Sequence, residues 1–177
     1  MRFLPFILLL IISFTSCKSS KLATKNKSVS IAKTKQFKKG NLAYKTTPEN
    51  IKAHNIVTFA NSFEGTKYKF GGTTKKGMDC SGLIYVAFKN ENILLPRVSS
   101  DMAIKGYPIT LKEVQKGDLL FFQTNKNRRI INHVGLVTNT NNRTIEFIHS
   151  TTSKGVITSS LSERYWQLAF KEARRFL

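Results

Sequence analysis

Residues 79–89 read Asp-Cys-Ser-Gly-Leu-Ile-Tyr-Val-Ala-Phe-Lys. Leu83, Ile84, Val86, Ala87 and Phe88 cover nearly every side of a helical wheel, so the segment reads as a central helix buried by its neighbours and beginning at Cys80. Asp79 and Ser81 flank the start, and either can cap it. A thiol at the head of such a helix meets unsatisfied backbone N–H groups and the positive end of the macrodipole, both of which favour a thiolate. Reactive cysteines so placed titrate at roughly 3.5–7.5 rather than near 8.5. The same N–H groups can hold a developing oxyanion.

Outward from that helix the period changes. Upstream, Pro48 to Phe63 places Ile51, Ile56, Val57, Ala60 and Phe63 near the helical repeat, with Pro48 and Glu49 in a first turn and Gly65 just past the end. Tyr68 to Gly72 is a short extended stretch ending in a turn, and Thr73 to Met78 a loop. Downstream come short apolar runs at Leu119–Phe122, Ile130–Thr138, Thr144–His149 and Gly155–Thr158. Their close succession predicts antiparallel strands, with the helices gathered earlier in the chain, an α+β class. Leu161 to Phe176 fits a closing strand or a helix equally well.

The N-terminal segment is of another kind. Met1 and Arg2 precede twelve almost wholly apolar residues, Phe3 to Phe14, too short a run to span a bilayer as a helix and typical of a signal peptide. Phe14-Thr15-Ser16-Cys17 resembles the lipobox of bacterial lipoproteins, which implies cleavage after residue 16 and a lipid on Cys17. Residues 18–47 then hold nine lysines, no acid and no sustained apolar period. Such a stretch cannot bury enough surface to offset its ordering and is expected to be a tether with a reach of roughly 30 Å. The expected division is a signal peptide at 1–16, a lipidated, Lys-rich tether at 17–47 and one domain at 48–177. The expected location is the cell envelope, at the outer membrane and facing the periplasm.

The full chain of 177 residues carries a formal charge of +19. With Arg2 and the nine tether lysines set aside, 19 basic residues face all 10 acids in the domain, a net of +9. No helix-turn-helix, aromatic RNA-binding strand or Cys/His finger spacing accompanies that charge, so nucleic acid is not an expected partner. A carboxylate-rich target fits it as well. The composition, 41% hydrophobic and 11% aromatic, excludes a disordered or fibrous chain, and two cysteines exclude a disulfide scaffold.

Three histidines are available as a base for Cys80. His54 falls within the first helix. His133 opens the strand segment His-Val-Gly-Leu-Val and His149 closes Thr-Ile-Glu-Phe-Ile-His, polar residues at the ends of otherwise apolar runs. Strands ending side by side would bring one imidazole to the thiol and let the other orient it, as a cysteine nucleophile requires. Taken singly, each histidine could equally be satisfied in a turn or at a sheet edge. A zinc site built from Cys80, His133 and His149 lacks the close ligand pair that such sites usually show.

Six motifs carry a resemblance. They are Tyr68-Lys69-Phe70-Gly71-Gly72, Asp79-Cys80-Ser81-Gly82-Leu83, Leu95-Pro96-Arg97, Lys116 to Phe122 around Gly117-Asp118-Leu119, His133-Val134-Gly135-Leu136, and Ile148-His149-Ser150. From about Asn55 to Phe176 their order and spacing resemble the NlpC-type bacterial cell-wall peptidases, which are papain-like cysteine hydrolases. The resemblance implies helices packed on an antiparallel sheet, with Cys80 as nucleophile, His133 as base and later acid, and His149 as the polar third member. It also implies that Tyr68, Asp79 and Ser81 line the cleft and help to bind a peptide, although Tyr68 as a core aromatic and the other two as caps fit as well. Arg97 could grip a substrate carboxylate bidentately, and a structural ion pair would look the same. Met102 stands where many relatives have glutamine, which touches only a cleft-edge contact.

The implied reaction is hydrolysis of amides in peptidoglycan stem peptides or cross-links, by a monomer needing neither metal nor cofactor. The readings kept beside it are a catalytically silent wall-binding lipoprotein and an amidase or acyltransferase using the same thiol.

Overall fold

The computed structural model describes residues 47–177 apart from Lys126, Arg128, Asn142 and Arg143. The signal peptide, Cys17 and all of the tether before Thr47 lie outside the described residues. Helix α1 (Pro48–Asn61) starts as expected: the Thr47 side chain accepts from Asn50 N, proline occupies the first turn, and Glu49 sits at the positive end of the dipole. Ala53, Ile56, Val57 and Ala60 form its buried stripe.

Residues 73–78, expected as a loop, contain a two-residue antiparallel hairpin, β1 (Thr73–Thr74) and β2 (Gly77–Met78), and Tyr68 bridges to Met78. Helix α2 (Cys80–Asn90) follows directly, with Asp79 as its N-cap accepting from Gly82 N at 2.6 Å. Its residues Leu83, Ile84, Ala87 and Phe88 are fully buried. Gly82 is required by closeness: a Cβ there would collide with the carbonyl oxygen of Gly72 and crowd the Asp79 carboxylate, so any larger residue would push the helix start off its loop.

Two elements carry no clear sequence signal: the single turn α3 (Ser99–Met102) and the three-residue strand β3 (Tyr107–Ile109). The expected strands are found as β4 (Leu119–Phe122), β5 (His133–Asn139), β6 (Glu146–Thr151) and β7 (Gly155–Ser160). The ambiguous final segment is both things in turn, a short helix α4 (Arg164–Ala169) running straight into β8 (Phe170–Arg175). The six-stranded sheet is antiparallel throughout, in the order β3-β8-β4-β5-β6-β7.

Both faces of that sheet are covered, which explains why Leu119-Leu120-Phe121-Phe122 is apolar at every position rather than alternating. Leu119, Phe121, Val134, Leu136 and Ile148 point to the α1–α2 layer, whereas Leu120, Phe122, Val137 and Phe147 pack under Trp166 and Ala169 of α4. At the turn before β4, Arg175 Nε and Nη2 hold the buried Asp118 carboxylate at 2.9 and 2.8 Å. This bidentate pair ties β8 to the start of β4.

Candidate active site

Cys80 and His133 arrive on opposite layers. Cys80 is the first residue of α2, and His133 the first of β5, where that strand enters the sheet beside β4. Both line one cleft of about 430 Å³, together with Tyr68, Asn132, Ser150 and Trp166. The backbone N–H groups of Val134, next in the chain after His133, of Ser81 and of Cys80 itself favour the Cys80 thiolate. A larger groove of about 700 Å³ around Leu111, Val114, Ile145 and Leu161 holds neither thiol nor imidazole.

The imidazoles form a relay. His133 Nε2 lies 2.8 Å from His149 Nδ1, and His149 Nε2 lies 3.0 Å from Ser159 Oγ. Since Nε2 of His133 is engaged, Nδ1 remains as the nitrogen that can take the thiol proton. That role assigns the tautomers: His133 Nε2–H donates to His149, and His149 Nε2–H donates to Ser159. Trp166 stacks on the His133 ring at 5.3 Å and stands edge-to-face on His149 at 4.6 Å, so packing as well as bonding fixes both rings.

Electrostatics correct one expectation. The helix terminus was expected to depress the thiol, yet burial pushes the Cys80 thiol above its ordinary value, and the nearby Asp79 charge adds to that. The three N–H groups act the other way and are outweighed. Burial also pulls His133 down to about 4, and burial with the neighbouring His133 pulls His149 down to about 3. The resting pair is therefore neutral thiol and neutral imidazole. Tyr68, raised by burial and then by Cys80 and Asp79, keeps its phenolic proton.

Among the four residues expected to contact substrate, Tyr68 lines the cleft. Asp79, Ser81 and Arg97 do not line it and are bonded to one another instead. Arg97 Nη1 meets Asp79 Oδ1 and Ser81 Oγ, each at 2.9 Å, and Nη2 meets Asp79 Oδ2 at 3.0 Å. This is the structural ion pair that looked the same in sequence. It holds the cap of α2 and balances part of the Asp79 charge, which still opposes ionisation of the thiol. His54 lies outside the cleft, beside Lys116 Nζ at 3.3 Å. Among the described residues no three His, Cys, Asp or Glu side chains converge as metal ligands.

Ser159 and Trp166 were missed from sequence. Ser159 pairs with Phe147 across β6–β7, which makes it the diagonal neighbour of His149 on the same face. The strand read from sequence stops one residue before it, so its register gave no signal. Trp166 sits on the segment whose structure was ambiguous.

A thiol at a helix head, an imidazole on the facing strand and a second imidazole behind it define a papain-like cysteine hydrolase site. Residues 65–175 match the NlpC/P60 family, and the chain belongs to it. It is 39% identical over 140 residues to "Probable endopeptidase NlpC" of Escherichia coli (strain K12), a match taking in 75% of this chain and 88% of that protein. It is 37% identical over 116 residues to "Murein DD-endopeptidase MepS/Murein LD-carboxypeptidase" of the same strain, with 65% and 58% covered. A crystal structure described as similar to lipoprotein, NLP/P60 family, from Staphylococcus aureus superposes with a TM-score of 0.63 and 33% identity over 76% of this chain and 44% of that one.

Proposed function

We propose that the domain is a peptidoglycan endopeptidase that hydrolyses amide bonds of stem peptides or cross-links. The observation that carries this is the Cys80 thiol at the head of α2, in one cleft with His133 and backed by the His133–His149–Ser159 relay. The names of the relatives supply the substrate class. Attack by Cys80 on the amide carbon sends the thiol proton to His133 Nδ1 and leaves a tetrahedral oxyanion, which the N–H groups at the head of α2 can receive. The resulting imidazolium is stabilised by His149 Nδ1. His133 then protonates the departing amine, and in the second half takes a proton from water, whose oxygen attacks the thioester carbon and releases the carboxylate with Cys80 restored.

Mass spectrometry of purified wall incubated with the protein tests this reading. The parent should release muropeptide fragments, and Cys80→Ala should release none while keeping its folded circular-dichroism spectrum. Undiminished release by that variant would refute the assignment. We further propose, on the Phe14-Thr15-Ser16-Cys17 motif, that Cys17 carries a lipid and holds the enzyme in the cell envelope. Labelled fatty acid should enter the protein and fail to enter Cys17→Ala, and equal labelling of the two would remove the anchor.

A further inference from the structure

The cleft carries charge that the mechanism leaves unused. Lys154, in the turn between β6 and β7, is exposed and is the one cation among the described residues that line it. Its backbone N–H donates to Thr151 Oγ1 at 3.0 Å, which holds the turn, while its ammonium pairs with no acid among the described residues. Glu163, the one acid lining the same cleft, accepts from Ser160 N at 2.8 Å. Around Lys154 the wall is hydroxylic, formed by Thr151, Thr152 and Ser153, and so able to bond a peptide backbone.

Arg97, the other cation considered for a substrate carboxylate, is held on Asp79 away from the cleft. The task of meeting an anion there falls to a flexible ammonium on the turn, in the space that also holds the nucleophile. Because neither ion pair nor burial disposes of its charge, an anionic group on a peptide bound in the cleft is attracted to it.

Resting on the reading of the substrate as a peptidoglycan peptide, we propose that Lys154 is the receptor for a free carboxylate on the residue next to the cleaved amide. It thereby selects free-acid over amidated peptides. The test compares the parent protein with Lys154→Ala, Lys154→Arg and Lys154→Glu on two synthetic peptides that differ only in that group, carboxylate or primary carboxamide. The parent should favour the acid by roughly two- to fivefold in kcat/KM, the size of an exposed ion pair. Lys154→Ala should lose that factor on the acid and nothing on the amide, Lys154→Arg should keep most of it, and Lys154→Glu should prefer the amide. Equal losses on both peptides, or no loss on either, overturn the proposal.

Calorimetric binding of the same peptides to Cys80→Ala keeps the two readings apart. A preference for the acid that vanishes with Lys154, in a protein whose parent cleaves neither peptide, would refute hydrolysis and support the receptor. Absence of any preference would refute the receptor whatever the parent cleaves.

Discussion

Acidifying the protein from pH 7.5 to pH 5 should cost it stability through two rings. His133 titrates at about 4 and His149 at about 3 in the folded chain, both below the 6.5 of an open imidazole. The unfolded chain therefore takes up protons first. The contribution is whole above pH 6.5 and is lost progressively as the pH falls towards the folded values. At pH 5 each ring forfeits about 2 kcal/mol, and the pair about 4 kcal/mol, from a total that for a domain of this size is about 5–15 kcal/mol. The interval from 6.5 to 5 lies above the ordinary range of carboxylates, which isolates the imidazoles. Urea denaturation followed by tryptophan fluorescence at half-unit pH steps reads the change directly, because Trp166 stacks on His133. His149→Gln removes one titrating ring and should cut the slope by about half. A denaturation free energy that stays flat between pH 7.5 and pH 5 would mean that the rings are not both buried and neutral, and the neutral resting pair would fall with it.

Removing the Arg97 guanidinium leaves Asp79 without its cation but with the N–H groups of Gly71 and Gly82. Breaking a buried pair costs about 3–5 kcal/mol, and with Arg97 33% exposed against 10% for Asp79 we expect about 2 kcal/mol for Arg97→Met. The freed carboxylate also opposes ionisation of Cys80, so alkylation by iodoacetamide should rise at higher pH in Arg97→Met than in the parent; coincident pH profiles would show that Asp79 does not act on the sulfur. In Ser159→Ala the last bond of the relay is lost, and kcat should fall roughly tenfold, the kinetic equivalent of about one hydrogen bond. Undiminished turnover would show that Trp166 and Phe147 orient His149 by packing alone.

The placement of Cys80 was legible in sequence because it heads an apolar helix. His133 and His149 stood out as polar residues at the ends of apolar strands, but taken singly either could be satisfied at a sheet edge, and their association with Cys80 rested on the family resemblance. Asp79 was readable as a cap because its spacing to Gly82 is local. Arg97 was not separable from a substrate contact, since only the fold shows that residues 79 and 97 meet. Ser159 and Trp166 depend on the register of β6 against β7 and on the chain switching from helix to strand at Phe170, neither of which short-range periodicity encodes. The direction of the thiol shift failed for a related reason: the dipole of α2 is visible in sequence, while the depth at which its first residue is buried is not.

The position of β8 has a consequence for how the molecule is made. This strand follows every other element in the chain yet lies between β3 and β4, so until it emerges β3 has no partner and β4 one raw edge. Closure of the sheet must wait for the last segment of the domain to be synthesised, and the pairing of β3 with β8 spans some sixty residues. A chain cut short before Phe170 would leave β4 with an open edge beside the very strand that carries His133.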